Sequence, residues 1–371
     1  MRKGVDAPIW KEFSFLDIFE IKGGFYNKKP QRSDNGTIPF LGATATNNGI
    51  TEFYTLDAIQ TSSKIGYGPN EPIESKIFKG NCIAVTNNGS VGYAYYQESD
   101  FTCSHDINPL YLKNYTLNRQ IALFIITSIE KQRVCFEYAR KWRPMRMRKS
   151  KLLLPATPIG TPDYKYMETY INNLEKQKKR QYLDYITQRI EGLKDIKNPI
   201  PIEDKEWKVF NIKDLFVSQK GDQNNMASLK EGNIPLVSAK KNDNGYKSFA
   251  LHEKKKLYLE NSLTLNNDGD GGAGISFYQP HSYLLDSHVT ALYPIYNLNR
   301  FILLFISRCI TLQKEKFGHG YPINNERLNV FKLMLPINSS EQPDYEYMEQ
   351  YMMHLEYKKL SVYLEFKKKK I

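Results

Sequence analysis

Cysteine is scarce: Cys82, Cys103, Cys135 and Cys309 are the only four in 371 residues, and none stands in a CxxC or other ligand-like spacing. That scatter argues against a zinc framework or a disulfide scaffold and predicts reduced, mostly buried thiols. No apolar run approaches the roughly 20 residues that cross a bilayer, and the opening "MRKGVDAPIWKEF" lacks the apolar core of a signal peptide. A cytoplasmic protein without membrane contact is expected. The six histidines form no HxH or HxxxH pair. Negative charge is also short, 40 Asp and Glu against 52 Lys and Arg, which leaves a formal charge of +12. An excess of this size favours a polyanionic partner, usually nucleic acid, over a merely solvated basic surface.

What the chain does have, it has twice. "WKEFSFLDIFEIKGG" from Trp10 is echoed by "WKVFNIKDLFVSQKG" from Trp207, and "IPFLGATATNNGI" from Ile38 by "IPLVSAKKNDNGY" from Ile234. "IAVTNNGSVGYAYYQ" from Ile83 answers to "LTLNNDGDGGAGISFYQ" from Leu263. Then "LNRQIALFI" at Leu117 meets "LNRFILLFI" at Leu298, and "KLLLPAT" at Lys151 meets "KLMLPIN" at Lys332. Two copies of so long a unit exclude a solenoid and predict two whole domains. Short β-type runs broken by Asn-Gly, Asp-Gly and Gly-Gly signals make each domain α+β, with a helix after each Leu-Asn-Arg.

Each copy ends in a long helix, "PDYKYMETYINNLEKQKK" from Pro162 and "PDYEYMEQYMMHLEYKK" from Pro343. Thr161 is expected to cap the first, with Pro162 at its first position and Asp163 at the positive end of the dipole. Met167, Ile171, Leu174, Lys178, Gln181 and Tyr185 recur every three or four residues, as do Met348, Met352, Leu355, Lys359, Val362 and Phe366. That spacing predicts a coiled-coil seam between the two helices, with Lys178 and Lys359 fixing register and the first helix about 45 Å long. The expected division is residues 1–161 and 197–342 for the domains, 162–196 and 343–371 for the spacer helices. Tyrosines exceed what one seam can bury, so Tyr166, Tyr170, Tyr347 and Tyr351, with Tyr164 and Tyr345, are expected to anchor a partner protein.

Several motifs imitate catalysis. Gly269 to Gly274 matches GxGxxG, but the following "ISFYQP" is strand-like, so a glycine-rich β-turn is expected rather than a dinucleotide loop. Asn108-Pro109-Leu110-Tyr111 resembles the NPPY loop of adenine methyltransferases, but Leu110 replaces its second proline and no methyl-donor loop precedes it. Pro162-Asp163 with Glu203-Asp204-Lys205 caricatures a nuclease site, but Asp163 opens a helix and Glu203 lies in a linker. His105 and His288 stand in matching Ser-His pairs and are expected to be structural.

The segment "YARKWRPMRMRKSK" suits DNA better. Arg140, Lys141, Arg143, Arg146, Arg148, Lys149 and Lys151 lie beside Tyr138 and Trp142, a density fit for phosphates with some arginines left for guanine edges. The second copy keeps Phe317 and Arg327 but puts Gly318, His319, Tyr321 and Asn325 where the charge was. Asn87, Asn88 and Ser90 likewise face Asn267, Asp268 and Asp270, residue types able to read bases and equally able to form turns. Lys64, Lys240 and Lys241 complete the candidate DNA-contacting set. Similar frames with different tips are what two readers of different sequences require.

In order and duplication these segments resemble the specificity (S) subunits of bacterial restriction-modification systems over essentially the whole chain. The resemblance implies two target-recognition domains, each reading half of a bipartite asymmetric duplex site, separated by long antiparallel coiled-coil helices that also dock methyltransferase subunits. It implies a chain without catalysis or cofactor, with S-adenosylmethionine and Mg on the partners. The chain departs from the commonest type I pattern: it is short and lacks the "LPxGW" lead. Its "WKxFxxxDxF" opening leans toward the type IIB branch, similar to BcgI, whose partner fuses nuclease and methyltransferase. A DNA-independent scaffold, and an enzyme with an unrecognised site, are the rival classes.

Overall fold

The computed structural model describes residues 8–32, 34–136, 140–194, 196–269, 272–318 and 320–368. It forms two compact units, Met1–Gln181 and Tyr182–Ile371.

In the first unit the strand Ile9–Ser14 pairs antiparallel with Lys151–Ala156, so the two ends of the domain close on each other. A four-stranded antiparallel sheet runs in the order Phe19–Ile21, Ile107–Leu112, Cys82–Thr86, Ala94–Gln97. A three-stranded sheet runs Ile50–Tyr54, Ile38–Leu41, Thr102–Cys103, its last pair parallel. The strand Cys82–Thr86 is buried on both faces and is apolar from Cys82 to Val85. Ile83 and Val85 join the core beneath the helix Arg119–Glu130, while Cys82 and Ala84 join a second core with Phe40, Tyr54, Phe101 and Cys103. Burial pushes the Cys82 thiol up to about 12, as expected of a packing residue. Among the described residues no disulfide forms, although Cys135 is exposed.

The second unit repeats this plan. Trp207–Asn211 pairs with Lys332–Pro336. The four-stranded sheet is Phe216–Lys220, Val289–Pro294, Ser262–Asn266, Ser276–Gln279, and the three-stranded one is Tyr246–Ala250, Glu231–Val237, Leu284–Leu285.

The Leu-Asn-Arg segments start helices, as expected, and do more. Asn118 caps Arg119–Glu130 by accepting from Ile121 N, and Asn299 caps Arg300–Thr311 by accepting from Phe301 N and Ile302 N. Ile121, Ile125 and Ile129 bury one stripe of the first helix, each side chain contributing about 1.5–3 kcal/mol. Each asparagine also donates to the long helix, Asn118 to Glu168 at 2.9 Å and Asn299 to Glu349 at 2.6 Å. The adjacent arginines pair one heptad further along, Arg119 with Glu175 at 2.5 Å and Arg300 with Glu356.

The long helices span Tyr164–Glu191, 28 residues or about 42 Å, and Tyr345–Lys368. Their starts differ from expectation. Asp163, not Thr161, caps the first, its Oδ1 accepting from Tyr166 N at 2.9 Å, and Asp344 repeats the bond with Tyr347 N. Thr161 is taken by Thr157 across a turn, and Pro162 bridges back to Ala156 before the helix begins. A carboxylate at this place meets both the free N–H groups and the helix dipole, which a hydroxyl one residue from the bend cannot do.

The residues of the expected seam divide within their own units. Met167 and Met348 are fully buried, but in the cores of their own domains. Leu174, Tyr185, Val362 and Phe366 are exposed, as are Lys178 and Lys359. Within the second unit the helices meet through a different face. Tyr182 packs edge-on against Tyr363 at 5.6 Å, and Arg189 Nε bonds Glu356 at 2.9 Å. Numbers that rise on one helix and fall on the other make this contact antiparallel. Ile186, four residues after Tyr182, is fully buried.

One insertion distinguishes the first unit. Between Tyr54 and Cys82 it carries two short helices, Leu56–Thr61 and Ile73–Lys76. Lys76, wholly buried, donates to the carbonyls of Ile59, Gln60 and Ser62 at 3.1, 3.0 and 2.8 Å and to Asn70. An ammonium thus closes the carbonyl end of a helix and ties down the loop after it.

Candidate nucleic-acid interface

In the first unit the basic segment is pinned by two core residues. Trp142 is fully buried, stacked on Phe136 at 4.5 Å and edge-on to Phe15 at 5.5 Å, with Nε1 donating to Ser150 at 3.0 Å. It is therefore an anchor and not a base-stacking ring. Met147 is the second anchor. With these held inward, Arg140, Arg146, Arg148 and Lys149 are left exposed, the last two without a core-facing alternative on this one-turn helix, Pro144–Met147, and its end.

Arg143 is set apart from them. It stands at the N-cap of that helix and makes no capping bond, because a guanidinium has no acceptor. Its Nη1 lies 3.7 Å from Asp106 Oδ1. The same carboxylate accepts from Asn88 Nδ2 at 2.9 Å and lies 3.3 Å from His105 Nε2. Three loops of the first unit therefore converge on Asp106, with Arg143 oriented but still 40% exposed.

The second unit builds a cleft of about 660 Å³ at the corresponding loops, lined by Lys220, Asn224, Asp268, His288, Asn325 and Glu326 among others. His288 Nδ1 lies 2.9 Å from both oxygens of Asp268. That bond raises the imidazole pKa above its ordinary value; burial opposes the shift, Asp286 adds to it and Lys220 subtracts. Beside the cleft, Arg327 lies 3.7 Å over the half-exposed Tyr321 ring and donates to Pro322 O at 2.5 Å.

Backbone bonds fix the correspondence between the copies. Asn87 N donates to Asp106 O and Asn267 N to His288 O; Ser104 N donates to Leu41 O and Asp286 N to Val237 O. His288 therefore answers to Asp106, not to His105, one residue off the match that the Ser-His pairs suggest. Arg143 answers to Asn324, whose Oδ1 caps Asn325–Asn329 through Arg327 N at 2.9 Å.

The other expected DNA contacts divide. Asn87 is buried, its amide donating to His105 O and Asn108 Oδ1, and Asn267 Oδ1 accepts from Thr290. Asn87 is spent inside the fold, whereas Asn267, though largely buried, lines the cleft. Arg146 and Arg327 each donate to the carbonyl five residues earlier, Lys141 and Pro322, so part of each guanidinium shapes its own loop. Lys240 is held by Asp243 and Tyr246 O at 2.8 Å, whereas Lys241 is exposed. Ser90 sits in the turn after Asn88, its carbonyl accepting from Thr86. Lys64 O accepts from Asn27 N and Lys28 N, beside the Tyr26 carbonyl that receives His105 N. Tyr138, Asp270 and His319 lie outside the described residues.

The catalytic imitations resolve into structure. Asn108 lies in a central strand, buried, with its amide donating to Lys22 O. Gly269 and Gly274 bound a hairpin between antiparallel strands. Asp163 is a helix cap, and Lys205 pairs with Asp344 at 2.6 Å.

The tyrosines expected to meet a partner are not alike. Tyr347 is buried and donates to Ile200 O at 3.2 Å, and Tyr351 packs on Phe305 at 5.8 Å. Tyr345 and Tyr164 are half-buried against their own cores. Tyr166 and Tyr170 stack on each other and both meet Phe124 edge-on, with Tyr170 exposed.

One α+β frame used twice, with unlike groups at its loop tips, defines a protein that recognises two targets through one scaffold. The family is shown by comparison: the model of the type I restriction modification DNA specificity domain matches residues 9–183 and again 204–362. The chain belongs to that family, and it is a restriction-modification specificity subunit with two recognition domains. It is 29% identical over 352 residues to the BcgI type II restriction enzyme specificity subunit S.BcgI of Heyndrickxia coagulans, covering 94% of this chain and 95% of that one. It is 22% identical to the putative type I specificity subunit S.MpnORF507P of Mycoplasma pneumoniae, covering 84% and 80%. Among solved structures, the type I S subunit from M. genitalium matches over 98% of this chain and 93% of that one, with 13% identity and a TM-score of 0.48. Among the described residues no helix is long and apolar enough to cross a membrane.

Proposed function

We propose that each unit reads one half of a bipartite, asymmetric duplex DNA site, and that the chain delivers partner subunits to that site without catalysing a reaction itself. The observation that carries this reading is the exchange at one backbone position, Asp106 with Arg143 in the first unit against His288 with Asp268 in the second. Equal frames give equal docking poses; unequal donors and acceptors give unequal half-sites. The exposed Arg140, Arg148, Lys149 and Lys241 supply phosphate contacts.

Methyl transfer and cleavage belong to methyltransferase or fused restriction–methyltransferase subunits, which bring S-adenosylmethionine and Mg. The higher identity and fuller coverage of the type II relative support the fused kind. Such a complex works in the cytoplasm. Co-expression with the adjacent modification gene, followed by mapping of methylated adenines, tests the reading. A gapped motif with two different halves is expected, and none from the purified chain alone. One continuous palindrome, or methylation by the chain by itself, overturns it.

A further inference from the structure

We propose that His288 is a specificity-determining residue of the second recognition unit, its Nε2 meeting a base edge while Asp268 positions the ring. The inference rests on the DNA-reading function proposed above. The Asp268 carboxylate can only accept, and it lies 2.9 Å from Nδ1 through both oxygens. Nδ1 therefore carries its hydrogen whether the ring is neutral or cationic, and Nε2 is the atom whose character changes. The His288 side chain is 60% exposed and borders the cleft, so a base edge can reach it.

Among the described residues, the charged groups around the ring are Asp268 from the hairpin turn, Asp286 from its own loop, Lys220 from the neighbouring strand and Glu326 from the short helix across the cleft. The Asp268 bond outweighs burial and favours the cation. As a cation, His288 offers Nε2–H as a donor, which suits guanine O6 or N7. As the neutral ring it offers Nε2 as an acceptor, which suits the amino group of adenine or cytosine. The same backbone position in the first unit holds Asp106, which only accepts and is already engaged by Asn88. One position thus presents a fixed acceptor in one copy and a reversible donor in the other.

The test uses the full chain in complex with its methyltransferase subunit, acting on a randomised duplex library at about pH 6 and about pH 8.5. The wild type should show one position, in one half-site only, whose guanine preference weakens at the higher pH. His288→Gln should abolish the pH response and lose about tenfold discrimination at that position, leaving the other half-site as it was. Asp268→Asn, which keeps the ring but not its anchor, should shift the pH response to lower pH. If His288→Gln preserves every preference at both pH values, or weakens all sequences uniformly as a phosphate contact does, the inference is overturned. A wild-type motif without two separated halves would sink the proposed function as well. A gapped motif indifferent to His288→Gln sinks this inference alone.

Discussion

The side-chain amide of Asn118 donates to the carboxylate of Glu168 at 2.9 Å while its oxygen caps the helix Arg119–Glu130. One side chain thus starts a helix and ties it to the long helix that leaves the domain. Asn118→Ala removes both bonds, and loss of the cap alone costs about 0.5–2 kcal/mol. Thermal unfolding should show a lowered first transition, with hydrogen exchange rising in residues 119–130. Asn118→Asp should restore the cap but set a second carboxylate against Glu168, recovering only part of the loss. An unchanged melting curve for Asn118→Ala would show that neither bond matters.

Most of the fold was legible because duplication made it so. Two copies of Leu-Asn-Arg with apolar residues at helical spacing point to one helix each, and both are present. The tips were less legible, for physical reasons. Asn87 and Asn88 are neighbours in one turn, yet the first is buried and spent and the second reaches Asp106; sequence gives the residue type but not the side of the turn. Trp142 reads as part of a basic, aromatic DNA contact because its neighbours are charged, whereas its own ring fills the core. The His105–His288 match fails because Ser-His spelling competes with backbone register, and register follows the sheet. The Asn-Glu and Arg-Glu ties between helices left a signal that could have been found: Glu168 and Glu175, one heptad apart, recur as Glu349 and Glu356.

Glu356 gives the second unit a pH dependence. Burial pushes its carboxyl up, but bonds from Arg189 and Arg300 outweigh burial and hold it below the ordinary glutamate value. A carboxyl lowered in the folded state adds stability that is complete above its unfolded pKa and is lost as pH falls through the folded one. Unfolding of the second unit should therefore ease as pH drops below about 4.5, and Glu356→Gln should be less stable at neutral pH with a shallower acid slope. If the variant and wild type showed parallel acid slopes, the two guanidiniums would not be coupled to this carboxylate.

Arg143 and Arg148 lie five residues apart and should behave differently. Arg143 is aimed by Asp106, while Arg148 is exposed at the end of its one-turn helix. Arg143→Ala should relax preference at one position of the first half-site, by about 1–3 kcal/mol between bases. Arg148→Ala should weaken all duplexes alike and reduce the slope of log affinity against log salt by about one. Binding titrations at several salt concentrations, with duplexes varied one position at a time, separate the two. Equal, sequence-independent losses would make Arg143 another phosphate contact.

Among the described residues, the aromatic group of each domain is covered in one copy and half-exposed in the other. In the second unit Trp207, Phe305, Tyr347 and Tyr351 lie under the segment before Trp207: Ile202 packs on that core, Tyr347 donates to Ile200 O, and Lys205 sits 5.0 Å over the Tyr347 ring. In the first unit Trp10 stacks on Phe124 at 6.3 Å, and Tyr170 meets the same ring at 5.7 Å, but Trp10 is 49% and Tyr170 48% exposed. Paired aromatic rings left open are the usual anchors of a protein interface. Trp10→Ala with Tyr170→Ala should therefore weaken assembly with the methyltransferase subunit by about 2 kcal/mol or more, with melting of the chain little changed. Tyr351→Ala should do the reverse, lowering the melting temperature because its ring packs on the buried Phe305. Size-exclusion and titration of the partner onto each variant measure both effects. Full assembly by the Trp10→Ala, Tyr170→Ala chain would move the docking surface elsewhere on the helices.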